Sequence, residues 1–409
     1  MKLRKLSLER YKGYAELTEL ELAPLTILVG ANNAGKTALA KAIQLFAGGV
    51  APSENDTLEP FPLKSGGIQH GETFEDLVTG RTVHGRLYLS ATLADNGTEL
   101  SLSATVTNVV APSHPSERQI SKWSLISDGQ KVAVERQGFD RGALYNVCVS
   151  GRAQESRQIG WRGLIPEQPN NLADWVGASA KGLKAWASGV RHLQCPRRLI
   201  PSPFTPIEHS PTELGPNGQN TPLALAADDE LRESVREWYR ITFGVSLDVV
   251  AQGSYSELVV PAPARSTDVR LLQSGRGLSH VLPVVVMALT ARKAGQGIDV
   301  IEHPEAELHP AAHADVAQLL LENLSPMRPM VIETHSEMML LRTRRWIAEG
   351  RLPAENVLIY WIDTEPGHGS ILRKIKINEN GEMDSWPEGV FIEDYDEILA
   401  IRRASRPKE

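Results

Sequence analysis

Cysteines and long apolar runs are scarce in this sequence. Only two cysteines, Cys148 and Cys195, occur among 409 residues, and they form no CxxC pair. This excludes a disulfide framework and a cysteine-rich zinc site, and it suits a reducing cytoplasm. The longest apolar run, Val281–Leu289, is far shorter than the ~20 residues that a bilayer-spanning helix needs. We therefore expect a cytoplasmic protein that has no membrane partner.

The chain also lacks an excess of basic residues, internal repeats and sustained heptads. Its formal net charge is −7, so no global field attracts nucleic acid, and any contact with DNA must come from local patches. The absence of heptads excludes a long coiled-coil arm. Hydrophobic residues make up 41% of the chain and charged residues 23%, which is typical of a globular protein.

What the sequence does contain is a complete phosphate-binding motif. Residues Gly30–Thr37 match G-x-x-x-x-G-K-[ST] at every fixed position, between an apolar strand and the periodic run Ala38–Phe46. The glycines let backbone N–H groups face a phosphate at the positive end of the following helix. Lys36 is predicted to reach the β- and γ-phosphates of ATP, and Thr37 to hold Mg²⁺. The expected nucleotide contacts are Gly30, Asn32, Asn33, Ala34, Gly35, Lys36, Thr37 and Ala38.

The segments that flank this motif are also informative. Two alternating runs between Lys2 and Leu22 predict a hairpin with its turn at Arg10–Tyr14. Lys12, with its neighbouring tyrosines, is a candidate contact for adenine or ribose, and the alternative is an exposed turn. After the motif, Gly48–Gly71 is rich in Pro, Gly, Ser and acids and is predicted to be a loop or flap.

Two later strands end in residues suited to nucleotide chemistry. The apolar strand that starts at Asp299 ends in Glu302, and the carboxylate is predicted to lie beside the phosphate loop and hold Mg²⁺. A second apolar strand, Met330–Glu333, runs into Thr-His-Ser, and His335 is predicted to hydrogen-bond the γ-phosphate.

A second helix start suited to anions occurs at Ser274–His280, before the helix predicted over Val281–Ala291. One protomer already has a complete phosphate cradle, so this segment is expected to contact the ATP of another protomer. The sequence does not decide between the two serines as the contact. The candidate residues are Ser274, Gly275, Gly277 and Ser279.

The order of the elements predicts the fold. Alternation between Gly85 and Arg136 indicates an antiparallel sheet. Asn171–Gly244 is predicted to be mainly helical, with a Pro/Gly-rich break at Cys195–Pro222. Gly295–Tyr360 alternates strand and helix, as a parallel sheet requires. We predict an α/β P-loop NTPase with a mixed or parallel sheet core, an antiparallel β subdomain and a helical insertion. The predicted domains are ATPase lobe I at 1–165, the insertion at 166–270, ATPase lobe II at 271–365 and a C-terminal element at 366–409.

In this order, four segments resemble the ABC-type ATPases of the SMC/RecF/OLD (overcoming-lysogenization-defect) class. They are most similar to bacterial "AAA family" ATPases of the OLD/Septu kind, whose tail resembles Trp386–Phe391. The resemblance implies a homodimer, or a higher oligomer, that holds each ATP between the phosphate loop of one chain and Ser274–Ser279 of the other. The segments that carry it are Gly30–Thr37, Ser274–Ser279, Glu302–Pro310 and Thr334–Ser336.

The same resemblance implies a role in anti-phage defence beside a separate effector, a nuclease. OLD proteins carry a fused Toprim nuclease domain after the histidine strand. Here only about fifty residues follow Tyr360, whereas such a domain needs ~100. The acids at Glu393–Glu397 are therefore interpreted as a solvated helix end, and no intrinsic nuclease activity is expected.

The sequence departs from the family pattern after Glu302. Most relatives have a glutamate there that activates the attacking water, whereas this chain has His303. Glu305 is the nearest alternative carboxylate, and Glu302 could serve both the metal and the water. Loss of a well-placed general base typically costs ~10²–10⁴ in rate. We therefore expect slow ATP hydrolysis, with Glu302, His303, Glu305 and His335 as the catalytic candidates. Gln44, Gln69 and Gln119 are alternatives for the coupling glutamine of the family.

The alternative function is a RecF-like DNA-repair or DNA-clamping ATPase, which needs a basic groove. The cluster Arg191, Arg197 and Arg198 could meet nucleic acid or a partner, but it is interpreted as a solvated surface. The candidate groove residues are Arg342, Arg344, Arg345, Arg402, Arg403 and Arg406.

Overall fold

The computed structural model describes residues 1–385 except 53–58, 96, 112–113, 139–143, 153, 200–202, 206–213 and 262–267. Its strands are β1 (Lys2–Glu9), β2 (Thr18–Glu21), β3 (Leu25–Gly30), β4 (Lys64–Ser65), β5 (Ile68–Gln69), β6 (Arg86–Asp95), β7 (Thr98–Ala111), β8 (His114–Ser127), β9 (Gln130–Arg136), β10 (Leu144–Val149), β11 (Glu155–Gln158), β12 (Trp161–Arg162), β13 (Ile165–Pro166), β14 (Val190–Leu193), β15 (Asp248–Gln252), β16 (Tyr255–Val260), β17 (Val269–Arg270), β18 (Ile298–Glu302), β19 (Met330–Glu333), β20 (Val357–Glu365) and β21 (Gly369–Ile375). Its helices are α1 (Lys36–Val50), α2 (Asp174–Ala187), α3 (Thr221–Ala227), α4 (Asp229–Phe243), α5 (Leu271–Ser274), α6 (Arg276–Thr290), α7 (Pro310–Glu322) and α8 (Glu337–Ala348).

A six-stranded sheet carries the phosphate loop. Its order is β14-β18-β19-β3-β20-β21. The first five strands are parallel, and β21 pairs antiparallel with β20. The alternation of strand and helix predicted over Gly295–Tyr360 is confirmed. Because β19 lies between β18 and β3, the ends of these three strands form a row at one edge of the sheet.

An eight-stranded antiparallel sheet forms the second layer, in the order β11-β10-β9-β8-β7-β6-β1-β2. The predicted hairpin is its β1–β2 pair, in which Lys5 faces Glu21. The sheet predicted between Gly85 and Arg136 is present as β6 to β9, and β10 and β11 extend it. The prediction of a mixed α/β fold with an antiparallel β subdomain is thus confirmed.

Two apolar cores cover the opposite faces of the six-stranded sheet. Leu28 of β3 belongs to the core shared with α1, α2 and the eight-stranded sheet. Its neighbours Ile27 and Val29 belong to the other core, which α4, α6, α7 and α8 also line. Helices on both faces require strands that are apolar on both sides, as these are. Within the first core, Phe46 of α1 contacts Trp186 of α2 with ring centroids 6.3 Å apart.

Two segments differ from the sequence-based expectation. The loop predicted over Gly48–Gly71 instead starts as the last turn of α1, and its later part contains the β4–β5 hairpin. The segment predicted to be mainly helical does contain α2, α3 and α4, but it also contributes β14 to the six-stranded sheet. The proposed domain division at 165, 270 and 365 stays a prediction. The predictions for Trp386–Phe391 and Glu393–Glu397 concern residues outside the described part of the chain.

A buried charge network attaches β14 to β18. Asp299 is 1% exposed and accepts hydrogen bonds from Arg191 Nη2 (2.6 Å) and Arg328 Nε (2.7 Å). The prediction that Arg191 lies on a solvated surface is therefore wrong, because its guanidinium is held by this carboxylate. Arg328 also donates to the carbonyl of Gly189, just before β14 (2.6 Å).

We expect Asp299→Ala to lower the free energy of unfolding by about 3–5 kcal/mol, since two mostly buried guanidinium groups would lose their counter-ion. Urea denaturation followed by tryptophan fluorescence measures this loss. The matched control is Glu349→Ala, which removes an ion pair with Arg345 at the surface and should leave the midpoint unchanged. If Asp299→Ala behaves like this control, the network does not hold β14 in the sheet.

Candidate nucleotide-binding site

The phosphate loop joins β3 to α1. Gly30 has φ 150°, and a Cβ there would lie 1.9 Å from the carbonyl oxygen of Ile362, so only glycine fits. Gly35 (φ 106°) caps α1, which starts at Lys36 and is longer at both ends than the predicted Ala38–Phe46. Asn33 also has a positive φ of 62°.

The loop side chains divide by exposure. The residues at the outer part of the loop are exposed, whereas those that anchor it are more buried, as expected for a loop open to a ligand. Asn32 and Asn33 are exposed, Ala34 is buried, and Thr37 and Ala38 are intermediate.

Lys36 lies inside this loop. Its side chain is 4% exposed, and Nζ donates to the carbonyls of Gly30 (3.0 Å) and Ala31 (2.7 Å). Burial lowers the pKa of the ammonium, and the nearby charge of Glu333 opposes that shift. The lysine is therefore at the position from which it would reach a phosphate in the loop.

The turn between β1 and β2 contacts the phosphate loop. Tyr14 Oη donates to the carbonyl of Gly35 (3.0 Å), and the rings of Tyr11 and Tyr14 are fully buried. The expectation that these tyrosines could contact a base is wrong, because both rings belong to the apolar core. Lys12 is half-buried, and its Nζ donates to the carbonyl of His70 (2.8 Å). Its proposed contact with adenine or ribose stays a prediction.

The carboxylate beside Thr37 is Glu333. Thr37 Oγ1 donates to Glu333 Oε1 at 2.7 Å. Glu302 ends the next strand, β18, because β19 lies between β18 and β3, and its predicted role in holding Mg²⁺ stays a prediction. In the register of the parallel strands, Glu302 lies opposite Glu333, and Glu333 lies opposite Leu28 of the phosphate-loop strand β3.

Glu302 faces β14 instead. It is 3% exposed, and its two oxygens pair with His192 Nε2 (2.9 Å) and the backbone N–H of Cys195 (3.1 Å). Burial disfavours its charge, but His192 and the other partners outweigh burial and lower the pKa of the carboxyl. Arg197 is 2% exposed and donates to the carbonyl oxygens of Glu302 and His303. This corrects the expectation that Arg197 is a solvated residue.

His303, Glu305 and His335 lie together beside Glu333. His303 has left-handed backbone (φ 44°) and stacks on His335 with ring centroids 5.1 Å apart. His303 Nδ1 is 3.8 Å from Glu305 Oε1, and Nε2 is 3.6 Å from Glu333 Oε1. Burial opposes the charge on His303, but the two glutamates outweigh burial and raise the pKa of its imidazole. A raised pKa favours the imidazolium, which has no lone pair to accept a proton.

The pKa of His335 is shifted in the direction opposite to that of His303. Partial burial, with the positive charges of Lys36 and His303, lowers the pKa of its imidazole. A neutral imidazole at pH 7 has one N–H that can donate to a phosphate oxygen. The backbone N–H of His335 donates to Glu305 Oε1 (3.0 Å), and this hydrogen bond anchors the segment that follows β19. Burial raises the pKa of Glu305, but its hydrogen bonds outweigh that effect and the pKa is lowered.

The second predicted anion site is at the start of α6, which begins at Arg276 rather than at Val281. Ser279 is 8% exposed and donates to the carbonyl of Arg276 (2.9 Å), whereas Ser274 is only half-buried. A Cβ on Gly277 would lie 2.6 Å from the carbonyl of Glu307, so this glycine permits close approach. Gly275 has open space around its Cα. Among the described residues, no hydrogen bond or ion pair joins Ser274–Ser279 to Gly30–Thr37.

Sequence reasoning missed two residues of this site, Glu333 and His192. Glu333 ends an apolar strand just as Glu302 does, so the same pattern could have identified both. What the pattern does not give is the order of strands in the sheet. His192 carried no signal, since its partner Glu302 lies 110 positions away in the chain.

The donor set of this site fits Mg²⁺, the ion expected to accompany ATP. A threonine hydroxyl and a carboxylate are oxygen ligands, which Mg²⁺ prefers. In addition, Glu333 Oε2 is buried and has no hydrogen-bond partner among the residues that the structure describes. Thr37 and a strand-end carboxylate at this edge of the sheet would hold the ion, which would neutralise charge on the phosphates.

The sheet order and the phosphate loop define a P-loop nucleotide-binding fold, and comparisons with known proteins agree. Residues 1–68 match the family model "AAA ATPase domain". The crystal structure of an Smc head bound to the C-winged helix domain of ScpA is similar over 93% of this chain and 99% of that chain, at 13% identity and a TM-score of 0.53. This likeness shows that the chain has the fold of SMC head domains.

The SMC head domain from Thermotoga maritima is also similar, at 13% identity and a TM-score of 0.45, over 92% of this chain and 100% of that chain. No curated protein matches the chain. The family match over residues 1–68 supports an ATPase domain, and the structural likeness shows the fold of SMC heads. None of the helices in the described part of the chain is long and apolar enough to span a bilayer.

Proposed function

We propose that this protein is an ATPase that closes a homodimer around two ATP molecules and thereby switches a separate effector. The observation that carries this proposal is the constellation at one sheet edge, where Lys36 and Thr37 lie beside Glu333, His303 and His335. Such groups bind the triphosphate and its metal ion. The anti-phage role, with a nuclease as effector, rests on the sequence resemblance alone.

In the proposed reaction, the attacking water would lie between the γ-phosphate and His303. Lys36 and the N–H groups of the loop bind the phosphates, and neutral His335 donates a hydrogen bond to the γ-phosphate. His303 lacks the charge and reach of a carboxylate, and Glu305 and Glu333 raise the pKa of its imidazole, so less of it is in the neutral form that can accept a proton from water. Hydrolysis is therefore slow, and the ATP-bound dimer persists long enough to act as a signal.

The alternative DNA-clamping function gains no support from the arginines of α8. Arg342 donates to Gln318 (2.9 Å), Arg344 to the carbonyl of Gly381 (2.7 Å), and Arg345 to Glu349 (2.6 Å). Each of these three guanidinium groups therefore has an intramolecular partner in this structure. The other candidates, Arg402, Arg403 and Arg406, lie outside the described residues.

A mixing experiment tests the shared sites. Lys36→Ala removes the phosphate contact of one chain, and Gly275→Arg places a bulky cation where the partner's ATP would lie. The Cβ of the new arginine meets no atom within 4 Å, so the protomer tolerates it. Each variant alone is expected to stay monomeric with ATP and Mg²⁺. Their mixture is expected to form heterodimers, because one intact composite site remains in each pair.

Light scattering coupled to size-exclusion chromatography measures this complementation. Thermal unfolding of each variant serves as the folding control. If the mixture stays monomeric while the wild type dimerises with ATP, the two halves of the site do not come from different chains.

A further inference from the structure

We infer that Arg197 is a positioning residue for the reaction, because its guanidinium fixes the backbone of His303 and thereby the place of the side chain at that position. The inference rests on the proposed ATPase function and adds a residue that acts through His303 rather than on the nucleotide. Arg197 lies in the segment after β14, the strand that pairs with β18.

The first observation is what the guanidinium of Arg197 binds. The residue is 2% exposed. Its Nη2 donates to the carbonyl of Glu302, and Nη1 and Nη2 both donate to the carbonyl of His303 at 3.2 Å. No carboxylate in the described part of the chain forms an ion pair with it. A guanidinium is a planar fork of donors, which suits two adjacent carbonyl oxygens. This buried cation is therefore bound to the backbone at the end of β18.

The second observation is the backbone conformation of His303, which is left-handed (φ 44°). Residues other than glycine stay in this region only where neighbouring groups hold them. The N–H of His303 donates to the carbonyl of Glu333 (2.7 Å), and its carbonyl also accepts the N–H of Ala306 (3.0 Å). Arg197 supplies the side-chain contact to the same carbonyl. Loss of the guanidinium would therefore release one of the groups that hold this conformation.

The third observation is that the ring of His303 has three close neighbours. It stacks on His335 with ring centroids 5.1 Å apart, and its nitrogens are 3.8 Å from Glu305 Oε1 and 3.6 Å from Glu333 Oε1. A change in φ at residue 303 rotates the Cα–Cβ bond, so the ring would leave these neighbours. Displacement of a reacting group by about 1 Å can cost ~10² in rate. The contact of Arg197 with the backbone therefore affects the reaction.

The segment that carries Arg197 is itself held on both sides. Just before it, the N–H of Gln194 donates to the carbonyl of Pro216 (2.7 Å). Just after it, the N–H of Arg198 donates to the carbonyl of Asn217 (2.8 Å). A positioning side chain needs such support, because it can place another group only as accurately as it is placed itself.

ATP hydrolysis by the full chain tests the inference in a double-mutant cycle. With Arg197 present, His303→Glu is expected to raise kcat by about 10²–10⁴. With Arg197→Lys added, this gain should fall by about ten- to a hundredfold, because one ammonium cannot replace the fork. The Kd for ATP should stay unchanged. A substitution that only weakened the fold would instead lower kcat by the same factor with either residue at position 303.

Arg197→Ala gives a second readout in the His303→Glu protein. It removes the guanidinium, and guanidinium ion added well below denaturing concentrations is expected to restore part of the lost kcat. The matched control is Arg198→Ala. Arg198 is exposed, and its removal should leave the gain from His303→Glu intact. Thermal unfolding checks that each variant is folded, and Arg197→Lys, which keeps the buried charge, serves if Arg197→Ala does not fold.

The possible outcomes separate this inference from the proposed function. An equal gain from His303→Glu with arginine and with lysine at position 197 would overturn the inference alone, while ATP binding and assembly would stand. If His303→Glu gives no gain even with Arg197 present, the inference falls together with the catalytic assignment of His303. If the wild type binds no ATP, the proposed function itself fails.

Discussion

Lys36→Ala is expected to reduce ATP affinity by about a hundredfold and to abolish ATP-dependent assembly. The ammonium is buried inside the phosphate loop, so no neighbouring side chain can replace it. Each hydrogen bond to a charged group contributes about 1.5–3 kcal/mol, and this lysine is predicted to contact two phosphates. Titration calorimetry with Mg²⁺ and ATP measures the loss.

The matched control for this prediction is Lys184→Ala. Lys184 is an exposed lysine on α2, and its removal should leave both affinity and assembly unchanged. If Lys36→Ala still binds ATP as tightly as the wild type, the Gly30–Thr37 loop is not the nucleotide site.

His303→Glu is expected to increase the rate of ATP hydrolysis by about 10²–10⁴. The substitution restores a carboxylate at the position where His303 now lies between Glu305 and Glu333. The wild-type imidazole lacks the charge of a carboxylate, and these glutamates raise its pKa, which leaves less of it in the neutral form that can accept a proton. A phosphate-release assay under saturating ATP and Mg²⁺ measures the gain.

His303→Asn is the control for this substitution. His303 has φ 44°, and asparagine tolerates left-handed backbone better than most residues do. Asparagine cannot accept the proton of water as a carboxylate does, so this variant should hydrolyse ATP no faster than the wild type. Equal rates for wild type and His303→Glu would refute the catalytic assignment.

The local motifs of this chain could be predicted from the sequence. The phosphate loop, the α6 start and the histidine strand are each contiguous, so spacing and residue type identify them. Alternation also predicted the antiparallel sheet, because one face of each strand is apolar. The boundaries were less accurate. α1 starts at Lys36 and α6 at Arg276, because Gly35 and Gly275 are their N-cap residues, and glycine is one of the residues accepted at that position.

Long-range order could not be predicted in the same way. β14 contains Arg191 and His192, whose polar side chains do not predict a strand of a buried sheet. They are accommodated there because Asp299 and Glu302 provide hydrogen-bond partners. Those partners lie more than a hundred residues away in the chain. The contact between Thr37 and Glu333 depends on the same kind of information, since the strand order decides which strand end lies next to β3.

The most direct test of the account is the mass of the wild-type protein in solution, measured with and without Mg²⁺ and ATP, together with the nucleotide found in the complex. The account predicts that ATP doubles the mass and that the dimer elutes with intact ATP, because closure needs both chains and hydrolysis is slow. An unchanged mass, or a complex that contains only ADP after brisk turnover, would contradict it.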